Sequence, residues 1–135
     1  MKLRVVPTKA HAAIDQVVGP TLILAPELFG LKQGKKESLV PRVTGATAGF
    51  YSNLTDYELS LKNVIPMRVH LALDAMSGAT LAAVPLLTGA RKRGTRHWLP
   101  HTLLGAFEIG MALLTEQEAP KKRSRRFTRM LKLAS

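Results

Sequence analysis

Two pairs of ionisable residues stand at the same spacing in the sequence, and both have side chains that could do chemistry. His11 and Asp15 are four residues apart, and His70 and Asp74 repeat that spacing 59 residues later. On a helix, residues four apart share one face, so each carboxylate can accept a hydrogen bond from its imidazole. Such pairs can relay a proton, ligate a metal ion or hold a tetrapyrrole, or they can tie helices together near one membrane surface.

Two further ionisable residues, His101 and Glu108, lie seven positions apart in the last apolar stretch and are expected on one helix face. Glu108 is the deepest acidic residue in that stretch, where it can either hydrogen-bond to another helix or handle a proton. The candidate cofactor-binding residues are therefore His11, Asp15, His70, Asp74, His101 and Glu108.

Several classes of chemistry lack support in the sequence. There is no cysteine, which excludes thiol nucleophiles, disulfides and cysteine zinc sites. No glycine-rich phosphate loop, G-x-S-x-G elbow or kinase pattern occurs. The two His–Asp pairs could together supply the ligands of a metal site, but no HExxH or ExxH pattern accompanies them. We therefore predict neither catalysis nor a bound metal or cofactor.

The two pairs belong to an internal repeat. The stretch "PTKAHAAIDQVVGPTLILAPELFG" (7–30) returns as "PMRVHLALDAMSGATLAAVPLLTG" (66–89), with Pro, His, Asp, Gly, Leu, Pro and Gly at matching positions. The match continues, one residue out of step, as far as Thr55 and Thr115. Each repeat is long enough for a helix hairpin, so both repeats enter a membrane from the same side. The repeats run from about 7 to 55 and from about 66 to 115.

Four apolar stretches predict the helices that position these residues. They run from about 10 to 31, 39 to 55, 64 to 88 and 98 to 115. The first and third would reach roughly 30 Å as helices, about the thickness of a bilayer's hydrocarbon core. Charges fall mainly in the connectors, whereas helices of a soluble bundle carry wide charged faces. The sequence thus predicts an all-α fold, a four-transmembrane-helix bundle of two tandem helix-hairpin repeats, within a membrane domain of residues 1–116.

Local patterns give further expectations. Thr55 and Glu58 fit a capping box, which predicts a short surface helix between the second and third stretches. Tyr57 and Trp98 fall at predicted membrane borders, where aromatic belts lie. Small residues allow transmembrane helices to approach closely. The glycines expected at helix-packing positions are Gly19, Gly45, Gly49, Gly78, Gly105 and Gly110.

The order H-x3-D-x3-G-x2-L-x3-P-x3-G, twice, followed by "HWLPHTLLGAFEIGMALLT", resembles the SPW-repeat family of small bacterial membrane proteins over roughly residues 7–116. The family's Ser-Pro-Trp stands here as "APE" (25–27) and "VPL" (84–86), so only the proline is retained. The resemblance implies a four-helix membrane fold and implies no reaction.

The charge balance is strongly basic, with a net charge of +11, and the C-terminal tail (117–135) holds much of it. Lys and Arg residues are more numerous in the segments that share a side with the N-terminus, which predicts N-in/C-in orientation, as in a bacterial inner membrane. The tail is expected to contact anionic lipid headgroups, although a solvated tail is the commoner outcome for such a run. Its basic residues are Lys121, Lys122, Arg123, Arg125, Arg126, Arg129 and Lys132.

Taken alone, the sequence predicts a small multi-pass membrane protein with a structural or accessory role, such as a subunit of a larger membrane complex. One alternative is a membrane protein that binds a cofactor or handles protons through the repeated His–Asp pairs. The other is a soluble, basic helical protein that binds nucleic acid, a partner that the apolar stretches disfavour.

Overall fold

A computed structural model of the protein, which describes residues 3–32 and 35–120, consists of four α-helices. A short 3-10 turn over Ala90–Arg93 precedes the last helix, and the described residues form no strand beyond isolated bridges. The predicted all-α class and the order of four helices are therefore confirmed. The helices are α1 (Thr8–Leu28), α2 (Lys36–Ser52), α3 (Met67–Leu87) and α4 (Thr95–Leu114).

The helices pack in two hairpins, α1 against α2 and α3 against α4, and α2 also contacts α3. Equivalent glycines stand at the closest approach in each hairpin. A Cβ added at Gly45 would lie 2.5 Å from the carbonyl oxygen of Gly19, and one added at Gly78 would lie 2.6 Å from that of Gly105. Backbones this close leave no space for a side chain, so the repeated glycines set the spacing within each hairpin.

Gly49 and Gly110, also expected at packing positions, differ from these four. A Cβ added at either would meet nothing within 4 Å. The backbone of Gly49 is nevertheless close to Gly19, because a Cβ added at Gly19 would lie 3.7 Å from the Cα of Gly49. No such approach is found at Gly110, where an added Cβ would have open space around it.

Repeated prolines and glycines mark where the first helix of each hairpin begins and ends. Pro7 and Pro66 directly precede α1 and α3 with extended backbones, at ψ values of 146° and 143°. Gly30 and Gly89 follow the same two helices with φ values of +62° and +66°. This left-handed conformation disfavours a side chain, which explains why glycine is kept at both helix ends.

Polar side chains share the interior with apolar ones such as Leu22, Leu71 and Leu81, and large apolar side chains cover much of the exterior. Buried polar residues occur on all four helices, while exposed large apolar residues include Val17 on α1, Val43 on α2, Met76 on α3 and Leu103 on α4. By length and composition, one described helix, α3, is a candidate membrane span. The buried polar residues are Thr8, His11, Glu37, Ser38, Ser52, Thr55, His70, Asp74, His101, Glu108 and Thr115.

The connector between α2 and α3 does not form the short helix expected of it. Residues 53–66 form turns and no helix, so the capping-box prediction for Thr55 and Glu58 is wrong. Thr55 is buried, and Glu58 instead accepts hydrogen bonds from the hydroxyl of Thr8, at 2.9 and 3.0 Å. Tyr57, expected at a membrane border, has only 2% of its surface exposed. Trp98 is partly buried, and the guanidinium of Arg91 lies over its ring.

Candidate functional site

The two His–Asp pairs meet in one buried cluster, hereafter the His–Asp centre: His11, Asp15, His70 and Asp74. One ligand atom from each residue can be chosen so that all four lie within 4.8 Å of one another. Both imidazoles are buried, with 1% and 0% of their surfaces exposed, whereas Asp15 is partly accessible. The centre lies within the first two turns of α1 and α3, at the end of the bundle where α2 and α4 finish.

Each imidazole contacts both carboxylates. The Nε2 atoms of His11 and His70 are 3.1 Å apart. Asp74 Oδ2 lies 3.0 Å from His11 Nε2 and 3.1 Å from His70 Nε2. Asp15 approaches the same two nitrogens through its two oxygens, at 3.4 Å and 3.2 Å. The repeats are therefore joined by contacts that cross between them, in addition to those within each i, i+4 pair.

Two threonines fix the orientation of the imidazoles. The Oγ1 atoms of Thr115 and Thr55 lie 2.8 Å from the Nδ1 atoms of His11 and His70, respectively. Each threonine hydroxyl donates its single proton to the backbone carbonyl four residues earlier, at 2.6 Å and 2.8 Å. Each Oγ1 must then accept from Nδ1–H, so a neutral imidazole presents the Nε2 lone pair to the centre. The sequence repeat had already matched Thr55 to Thr115, but without assigning them this role.

Hydroxyl groups also hold the carboxylates. Tyr51 donates to Asp74 Oδ1 at 2.6 Å, while Tyr57 and Ser52 donate to Asp15 Oδ2 at 3.0 and 3.2 Å. Burial, reinforced by the charge of Asp15, raises the pKa of the Tyr57 hydroxyl above its ordinary value. The phenol therefore stays protonated and remains a donor. These contacts satisfy carboxylate oxygens that burial removes from water.

Glu108 lies beside the His–Asp centre without joining it. The hydroxyl of Ser77 donates to Glu108 Oε2 at 2.7 Å. A narrow, partly open cleft of about 20 Å³, room for about one water molecule, is lined by Glu108 together with His11, Asp15 and Asp74. A proton or small ion entering the cleft would meet the acidic side chains of Asp15, Asp74 and Glu108.

His101 belongs to the other end of the bundle. Its Nε2 donates to the backbone carbonyl of Glu37 at 2.6 Å, so it does not meet Glu108 or the His–Asp centre. The Glu37 side chain is buried and paired with Arg93, and His97 Nδ1 lies 3.4 Å from its Oε1. Glu37 was overlooked in the sequence because it stands in the polar segment "KQGKKES". The seven basic tail residues lie outside the described part of the chain.

Comparison with family models, with curated proteins and with solved structures gives no match to this chain.

Proposed function

We propose that the protein is a small four-span integral membrane protein with a structural or accessory role, as a subunit of a larger membrane complex. The observation that carries the proposal is the distribution of polarity. Ionisable side chains pack inside the bundle, where they pair with one another, and large apolar side chains face outward from each helix. In water this arrangement would expose apolar surface at a large cost, whereas a bilayer solvates it.

The interior polar groups fit the same proposal. Ionisable residues in membrane segments face the bundle interior and pair with one another or with backbone carbonyls. His11, His70 and Asp74 satisfy this rule at one end of the bundle, and Glu37 and His101 satisfy it at the other. The resemblance of the repeat to the SPW-repeat family, which no family model matches in this chain, agrees with a membrane location. An N-in/C-in orientation would place the His–Asp centre near the inner surface, on the same side as the basic tail.

Membrane fractionation of the full-length protein tests this proposal. We expect the chain in the membrane pellet, resistant to alkaline carbonate and released by detergent. Recovery of folded protein in the soluble fraction without detergent would refute it. A salt-sensitive gel shift by that soluble protein would then favour the nucleic-acid alternative.

A second candidate function is cofactor binding or proton handling at the His–Asp centre. It is favoured by the convergence of four repeated ionisable side chains, which simple helix packing does not require. An absorption spectrum and metal analysis of protein purified from its membrane separate these forms. A pigment would indicate a tetrapyrrole or a similar group, and the absence of both pigment and metal would leave proton handling.

A further inference from the structure

We propose that the His–Asp centre binds one divalent transition-metal ion through His11 Nε2, His70 Nε2 and one oxygen each of Asp15 and Asp74, with Zn²⁺ the best match. The inference refines the cofactor-binding role suggested above and does not depend on the membrane location. It rests on ligand geometry, on the state of the imidazoles, on charge and on the groups that orient the ligands.

The distances come near those of a tetrahedral site. Zinc binds imidazole nitrogen and carboxylate oxygen at about 2.0–2.2 Å, which places neighbouring ligand atoms of a tetrahedron about 3.3–3.6 Å apart. The two Nε2 atoms and Asp74 Oδ2 lie 3.0–3.1 Å from one another, and the two oxygens of Asp15 lie 3.4 and 3.2 Å from His11 Nε2 and His70 Nε2, respectively. With one oxygen chosen from each carboxylate, all four ligand atoms lie within 4.8 Å of one another. To reach the tetrahedral edge, the imidazole nitrogens and Asp74 Oδ2 would have to move apart by a few tenths of an ångström, and one oxygen of Asp15 would have to turn toward the ion.

The imidazoles present lone pairs to the same point. Because both Nδ1–H groups donate to threonines, both Nε2 atoms of neutral imidazoles are acceptors, and they are 3.1 Å apart. Two acceptors at this distance repel each other unless a cation lies between them. A proton on one Nε2 would let that nitrogen donate a hydrogen bond to the other. A metal ion instead binds both nitrogens and both carboxylates at once.

The charge balance also favours a divalent ion. Asp74 is buried and Asp15 is partly accessible, so the centre holds two negative charges largely removed from water, and an uncompensated buried charge is costly. One imidazolium would leave one of these charges unbalanced. A divalent cation with two neutral imidazoles and two carboxylates gives a neutral centre, the form best suited to an apolar surrounding.

Outer hydrogen bonds are those expected around metal ligands. A ligating histidine donates its other ring N–H to an acceptor, which fixes the tautomer, and ligating carboxylates are themselves hydrogen-bonded. Thr55 and Thr115 take the first role, and Tyr51 and Tyr57 take the second. The partly open cleft beside Asp15 supplies an entry path for the ion.

The test uses the full-length protein, purified without chelators and also after chelator treatment followed by dialysis against Zn²⁺ or Co²⁺. We expect about one tightly held metal ion per chain, and intense visible absorption from Co²⁺ in a tetrahedral field. Asp15→Asn and Asp74→Asn each keep the side-chain shape but remove a charged ligand. Each substitution should lower the metal affinity at least as much as the loss of an outer hydrogen bond, which lowers it about 10–100-fold.

His97→Gln is the matched control, since it removes a histidine from the opposite end of the bundle and should leave the affinity unchanged. Circular dichroism of each variant verifies that the helices remain. The Co²⁺ spectrum of the wild-type protein tests the site even if a variant fails to fold. Folded wild-type protein without metal and without a tetrahedral Co²⁺ spectrum would overturn the proposal, and so would equal loss of metal in His97→Gln. Neither outcome depends on whether the protein was recovered from the membrane or the soluble fraction. The metal proposal and the membrane proposal are therefore tested separately.

Discussion

The close approach of α3 and α4 at Gly78 gives a prediction whose size can be worked out. In Gly78→Ala, the new Cβ would lie 2.6 Å from the carbonyl oxygen of Gly105 and 3.0 Å from Glu108 Cβ and Ile109 Cγ1. Ordinary contact begins at 3.4 Å, so the nearest backbone atom would have to move by about 0.8 Å. Overpacking of this kind costs about 1–3 kcal/mol.

Alanine also gains about 1 kcal/mol over glycine in a helix interior, which partly hides the steric cost. Gly110→Ala provides the control because an added Cβ there meets nothing within 4 Å. Both variants share the helix-propensity gain, so the difference between them isolates the packing term. We expect Gly78→Ala to be less stable than Gly110→Ala by about 1–3 kcal/mol.

Thermal or denaturant unfolding in one detergent, followed by circular dichroism, measures this difference, with a shift of several degrees expected in Tm. Equal stability of the two variants, or greater stability of Gly78→Ala, would show that the helices do not cross as closely as described. Gly45→Ala in the first hairpin repeats the test, because its Cβ would lie 2.5 Å from a carbonyl oxygen.

Three further predictions address the exterior, the imidazole orientation and the buried phenol. Met76→Asp places a charge at an exposed mid-α3 position, which should cost about 2.5–3.5 kcal/mol in a bilayer and lower the membrane-integrated fraction; unchanged integration would contradict an apolar surrounding there. Thr55→Val removes the acceptor for His70 Nδ1 and should weaken metal binding about 10–100-fold, with recovery in Thr55→Ser; equal affinities in all three proteins would remove the threonine's proposed role. Tyr57 has a raised pKa when folded, so above about pH 10 the unfolded chain loses its proton first and stability falls with rising pH by up to about 1.4 kcal/mol per unit. Stability measured against pH should therefore fall less steeply in Tyr57→Phe, and parallel curves would refute this reasoning.

Much of the fold could be predicted because the apolar stretches and the prolines and glycines at their ends indicate the same helix boundaries. The apolar stretches place every helix end within three residues of its position in the structure. Pro7, Pro66, Gly30 and Gly89 flank the two long helices where their backbone preferences require. Gly110 could not be separated from Gly105 in this way, since composition does not tell which side of a helix meets its neighbour.

The site was only partly predictable. The i, i+4 spacing fixes that His11 and Asp15 share a face, but only tertiary packing brings that face against His70 and Asp74. Thr55 shows why the capping-box rule failed. Its hydroxyl donates to the Tyr51 carbonyl at the end of α2 and accepts from the His70 imidazole of α3, so it does not cap a new helix. Capping propensity, worth about 1 kcal/mol, was outweighed by these buried contacts.

The threonine contacts cross between the hairpins, and this has a consequence for assembly. Thr55 ends the first hairpin and binds His70 of the second, while Thr115 ends the second and binds His11 of the first. This reciprocity is that of a symmetric homodimer interface, in which each subunit supplies what the other needs. Either hairpin alone therefore holds one His–Asp pair but lacks the threonine that orients its imidazole. During synthesis the complete His–Asp centre can form only after Thr115, at the end of the last helix, has left the ribosome.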